Sequence, residues 1–109
     1  MKRGELWTMA GGPGYAGKPR PVLVVQDDAF DQTDSVLICP LTTHAIEAPI
    51  LRVDVSPSPA NGLRSPSCLM VDKLTTVPRS RLGKCIGQLS DDQLLRLNRS
   101  LMVVLGLAR

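Results

Sequence analysis

The stretch PVLVVQDDAFDQTDSVLICPL, residues 21–41, holds two nearly unbroken apolar runs, 21–26 and 35–41, joined by a polar connection whose one large apolar anchor is Phe30. Runs of this length, rich in Val, Leu and Ile, read as buried strands at the centre of a sheet. Working outward, residues 5–10 (ELWTMA) form a first strand, ended by Gly11, Gly12, Pro13 and Gly14, where permissive and rigid residues together make a loop. Residues 50–55 alternate in the strand sense, with Ile50, Arg52 and Asp54 on one face and Leu51, Val53 and Val55 on the other. The segment SPSPANGLRSPS, 56–67, carries three prolines and the tight-turn dipeptide Asn61-Gly62. A long loop of this kind is expected to be functional or mobile. Residues 68–77 resume a strand, and 84–89 form a shorter one.

Ser90 then begins a helix. Ser90 and Gln93 have the spacing of a capping box, Asp91 and Asp92 suit the positive helix start, and Leu94, Leu97, Leu101 and Leu105 fall on one packing face. Five or six short strands followed by one amphipathic helix do not alternate as a doubly wound fold would. The expected fold is mainly β, a small, strongly bent antiparallel barrel or sheet with a C-terminal helix. No repeat, low-complexity tract or dividing linker interrupts residues 1–109, which read as one domain.

A chain of 109 residues buries one core incompletely, so a partner would add stability and dimerisation is expected. The net charge of +3 and pI near 9.0 are a mild basic bias, with Lys and Arg scattered rather than blocked, which permits a polyanionic partner. Cys39, Cys68 and Cys85 lie apart in apolar surroundings in an odd count, and read as reduced, buried thiols of a cytosolic protein. The opening MKRGELWTM lacks the apolar core of a signal peptide, and the apolar run 101–105 is far short of a membrane span. A soluble cytoplasmic protein, with no membrane association, is expected.

The single histidine, His44, and the cysteine spacing offer no metal constellation, so neither metal nor cofactor is expected. Gly11, Gly12 and Gly14 lack the Lys-Ser/Thr ending of a phosphate-binding P-loop, and no G-x-S-x-G elbow is present. Small polar groups at strand ends remain. Arg20, held between Pro19 and Pro21 at the foot of an apolar strand, presents a permanently charged guanidinium beside a glycine-rich loop. It is either a phosphate grip or an exposed strand-end charge. Thr42, Thr43 and His44 follow the second buried strand, either as reactive groups or as a turn with ordinary hydroxyl-to-backbone bonds. Asp72 and Lys73 interrupt the apolar CLMVDKL, where the carboxylate faces solvent, pairs with Lys73 or serves a site.

The segments RGELW, GKPRPVLVVQ, CPLTT, NGLRSPSCLMVDK and GQLSDDQLLRLNRSLMVVLG, in this order and at compatible spacing, resemble the PemK/MazF family of type II toxin–antitoxin toxins across nearly the whole chain. The resemblance implies a small SH3-like β-barrel with a C-terminal helix, a homodimer and a cognate antitoxin. It also implies metal-independent, sequence-selective cleavage of single-stranded RNA to 2′,3′-cyclic phosphate and 5′-hydroxyl ends.

On the family's motifs, Arg20 before Pro21 would bind and stabilise the scissile phosphate, Thr42 would hydrogen-bond the phosphate or the reacting hydroxyl, and Asp72 matches the aspartate of the later strand. Fixed donors aimed at the charge developing on phosphorus are what such chemistry requires. Thr43, His44, Lys18, Arg64 and Lys73 are candidate RNA contacts, and Tyr15 is a candidate for stacking on a base. The chain departs from the family where Glu-Gln often precedes the Arg-Pro motif, here replaced by Tyr15 to Pro19. It departs again where some relatives carry an arginine two residues before the aspartate, here Met70. Asp72 and His44 are both candidates for the general base, and a two-histidine relay is excluded. A second function from a different class is a non-enzymatic toxin that poisons DNA gyrase, as the CcdB toxins of similar fold do; a third is an inactive regulatory relative.

Overall fold

Residues 21–41 do supply the centre of the sheet. The computed structural model describes residues 1–10 and 19–108. Seven strands, β1 (Glu5–Met9), β2 (Arg20–Val24), β3 (Ser35–Thr42), β4 (Arg52–Val55), β5 (Ser67–Met70), β6 (Thr75–Pro78) and β7 (Leu82–Gln88), precede one helix, α1 (Asp91–Val104). They pair antiparallel in the order β4-β5-β3-β2-β1-β7, with β6 also on β3. Among the described residues no ladder joins β4 to β7, so closure into the expected SH3-like barrel is not detected. The mainly β sheet with a C-terminal helix is.

β2 reads as unbroken apolar sequence because it is buried on both faces. Leu23 belongs to the core beneath α1 with Leu6, Cys39, Leu69, Val71 and Leu97, while Val22 and Val24 join Val36, Ile38, Val77 and Leu82 on the opposite face. Pro40 has no N–H to give to a ladder. It falls where one edge of β3 passes from the β6 ladder, whose last pair on β3 is at Ile38, to the β5 ladder, whose first is at Leu41.

The expected single strand over 68–77 is divided. Against β3 the register moves by three residues between β5 and β6, and Val71–Lys73 are looped out as a 3₁₀ turn. Leu69 and Val71 are both fully buried, so continued alternation would drive Lys73 toward the core. Burying an unpaired ammonium is costly, and looping out leaves Lys73 exposed.

The capping box forms as read, with Gln93 N–H donating to Ser90 Oγ at 3.2 Å and Ser90 N–H donating to Gln93 Oε1 at 2.9 Å. Leu97 and Leu101 are buried and Leu94 half-buried, but Leu105, expected on that packing face, is 56 % exposed. The helix stops before it. Gly106, at φ +75°, donates to Val103 O at 3.1 Å, and Leu107 N–H donates to Met102 O at 2.7 Å, a Schellman ending that turns the chain away from the core.

Cys39 and Cys68 are buried, whereas Cys85, expected to be so, is exposed on β7 at the edge of the sheet order. Burial pushes the Cys39 thiol up to about 12, and the negative charge of Asp72 acts in the same direction. Burial also raises the Cys68 thiol, which donates to Asp54 Oδ1 at 3.3 Å. Thiol reagents at neutral pH should therefore modify Cys85 in the folded protein and reach Cys39 only on unfolding, as mass spectrometry of labelled peptides will read. Leu97→Ala should lower stability by about 2–5 kcal/mol in chemical denaturation, because it empties a fully buried site between sheet and helix.

Candidate functional site

Register joins the two best-motivated side chains. Val22 of β2 lies opposite Pro40 of β3, and continuing that antiparallel register brings Arg20, the first residue of β2, alongside Thr42, the last of β3. Both line a cleft of about 350 Å³, together with Lys73 and the apolar Met9, Pro40 and Met70. The looped-out turn is what delivers Lys73 to it. Arg20 and Lys73 are exposed and Thr42 is half-buried.

Thr42 Oγ1 accepts the His44 N–H at 3.1 Å, so the ordinary turn read from the sequence is present. A hydroxyl that accepts here keeps its own proton to donate. The turn and a role in the cleft are therefore compatible.

A second cleft, of about 440 Å³, shares one lining residue, Pro21, with the first. Thr43 and Arg64 line it, with hydroxyls from Thr8 and Ser67 and apolar surface from Leu63 and Ile86. Its wall is the proline-rich loop, and that wall is anchored. Asn61 is 1 % exposed; its Oδ1 accepts the N–H groups of Ser58 and Leu63, both at 3.0 Å, and its Nδ2 donates to Ser56 O at 2.8 Å. Gly62 takes the positive φ expected of it, +69°, and a Cβ there would lie 2.1 Å from Ile86 O. At Gly87 a Cβ would lie 2.3 Å from Ala60 O, and Gln88 N–H donates to that same oxygen at 2.9 Å. Only glycine lets loop and strand approach so closely.

Asp72 sits on the 3₁₀ turn, its side chain a third exposed, and pairs with Arg52 Nη1 rather than with Lys73. Among the described residues, Asp72 and His44 line neither cleft. Tyr15 and Lys18 lie outside the described residues. Arg52 was not singled out from the sequence. Its only signal was a place on the outward face of residues 50–55, and it needed the β4–β5 register, which sets Arg52 opposite Met70, to become meaningful. The guanidinium that meets Asp72 thus comes from the neighbouring strand β4.

Among the described residues no three His, Cys, Asp or Glu side chains gather as a metal site, and no helix is long and apolar enough to cross a membrane. Each cleft offers a cation and a hydroxyl, Arg20 with Thr42 in one and Arg64 with Thr43 in the other, groups that suit phosphate contacts.

Comparison with known proteins agrees. A family model described as the PemK-like, MazF-like toxin of type II toxin–antitoxin systems matches residues 2–105. A Mycolicibacterium smegmatis protein named "Probable endoribonuclease MazF" is 50 % identical over 108 residues, covering 99 % of each chain. Among solved structures, the Mycobacterium tuberculosis toxin MazF-mt6 superposes with a TM-score of 0.77 at 27 % identity, covering 95 % of this chain and 97 % of its own. A MazE–MazF structure from Deinococcus radiodurans gives 0.76 at 26 %, covering 97 % and 96 %. The sheet order and the terminal helix thus have one explanation: the chain belongs to the PemK/MazF toxins of type II toxin–antitoxin systems, as a MazF-like endoribonuclease.

Proposed function

We propose that this toxin cleaves single-stranded RNA, sequence-selectively and without a metal ion, by transesterification in the Arg20 cleft. The observation that carries this reading is the convergence of Arg20, Thr42 and Lys73 on one cleft. The ribose 2′-oxygen bonds to phosphorus while the bond from phosphorus to the 5′-oxygen breaks. The 2′-hydroxyl loses its proton and the departing 5′-oxygen gains one, leaving 2′,3′-cyclic phosphate and 5′-hydroxyl ends. Arg20 grips two non-bridging oxygens with its planar fork, the Thr42 hydroxyl donates a hydrogen bond to the phosphate, and Lys73 offsets the negative charge that grows there. The flanking nucleotide lies in the Thr43 and Arg64 cleft, whose anchored wall suits selective recognition.

The toxin acts in the cytoplasm as a homodimer of single-domain chains and is neutralised by a cognate antitoxin. Relatives have been solved in complex with theirs. Apolar side chains exposed on and just beyond α1, Leu95, Met102, Val103, Leu105 and Leu107, supply surface for protein contacts.

Incubation with a long RNA in excess chelator should yield fragments ending in cyclic phosphate. Arg20→Ala should lower turnover about a hundredfold, and Arg20→Lys should not restore it, because the ammonium keeps the charge but loses the fork. Activity that vanishes in chelator and returns with a metal ion would overturn the mechanism. Loss of cleavage with arrest of DNA gyrase would favour the poison. RNA affinity should fall as salt rises, and Arg64→Ala should flatten that dependence by about 0.7 in log–log slope; a titration at several ionic strengths reads both.

A further inference from the structure

We propose that Arg52 is a positioning residue for cleavage: its ion pair with Asp72 latches the looped-out turn to β4 and so holds Lys73 in the Arg20 cleft. The inference rests on the ribonuclease reading above and assigns Asp72 to the latch instead of to proton transfer.

The turn Val71–Lys73 has no side-chain cap of its own. Its residues have left both ladders that flank them, so its shape is set by what it docks on. Three contacts dock it. Val71 is fully buried, its N–H donates to Leu51 O at 3.0 Å, and Arg52 Nη1 donates both to that same Leu51 oxygen, at 3.0 Å, and to Asp72 Oδ1. One backbone carbonyl at the start of β4 thus gathers the turn's amide and the guanidinium that holds its carboxylate.

The Arg52 side chain is only 10 % exposed. An ordinary surface pair leaves both partners hydrated and adds little, whereas a mostly covered guanidinium needs its carboxylate and holds it in one place. Asp72 and Lys73 are consecutive, and only Lys73 lines the cleft. With Asp72 drawn to β4, its neighbour is presented toward Arg20 and Thr42. Misplacing such a cation by about 1 Å is enough to lower turnover by around a hundredfold.

The test uses the full chain with Arg52→Gln, Asp72→Asn, Lys73→Ala and their pairs, each first checked for folding by circular dichroism and thermal melting. Cleavage of a short RNA in chelator is then followed across pH, with kcat and KM separated. Wild-type cleavage comes first, since its absence removes the ribonuclease reading and the latch with it. Arg52→Gln and Asp72→Asn should each lower kcat about ten- to hundredfold, leave the shape of the pH profile unchanged, and together do no more than either alone. On a Lys73→Ala background, Arg52→Gln should have no further effect. The reversed pair, Arg52→Asp with Asp72→Arg, should recover part of the loss.

Asp72→Asn that deletes a limb of the pH profile while Arg52→Gln cleaves normally would make Asp72 the base and overturn the latch. So would full activity in a folded Arg52→Gln protein, or losses that simply multiply with Lys73→Ala. If Arg52→Gln does not fold, Arg52→Lys, which keeps the charge and stem, replaces it under the same criteria.

Discussion

The hydrogen-bonded edges of β3 organise the molecule. One edge pairs with β2, and the other is shared by β6 and β5 in succession, so three neighbours take their positions from eight residues. Two consequences follow from that sharing. Pro40 is tolerated within a central strand because the second edge changes partner there. The chain that returns along that edge cannot keep a single register, and the three residues it sheds, Val71–Lys73, become the turn that faces the cleft. The protrusion is the three-residue excess of the returning chain over β3.

The same register sets the chemistry. Arg20 begins β2 and Thr42 ends β3, so antiparallel pairing brings a permanent cation and a hydroxyl together at a place where both strands run out and the side chains reach solvent. Because the β2 and β3 segments behind them are packed on both sheet faces, the backbone under the cleft is stiff. Such a base is what electrostatic stabilisation of a transition state requires of its donors. Arg64 and Thr43 line the second cleft, whose loop wall is braced internally by the buried Asn61 and bonded to β7 through Gln88 N–H and Ala60 O.

The site relies on few charges, each tied to a different element. Arg20 belongs to β2, Lys73 to the turn, Arg64 to the proline-rich loop, and Arg52 reaches Asp72 from β4. Arg52 pairs with the Asp72 carboxylate, and Arg20, Lys73 and Arg64 lie at the surface, where a high dielectric weakens repulsion between like charges.

Local pattern was enough for much of this. Consecutive residues carry the two-sided burial of 21–26 and 35–41, the alternation around Val53 and Val55, the Asn61-Gly62 turn and the Ser90 capping box, since each depends on neighbours within a few positions. The candidates Arg20 and Thr42 were legible because each sits directly at the end of such a run. Tertiary structure alone decided that residues 68–77 break in the middle, that Leu105 and Cys85 face solvent, that the loop 56–66 is an anchored wall, and that Asp72 answers to Arg52. The two members of that ion pair are twenty residues apart and meet only through the β4–β5 ladder. Periodicity tells which face a residue occupies, but the partner across that face is chosen by register, and register is settled by the whole sheet at once.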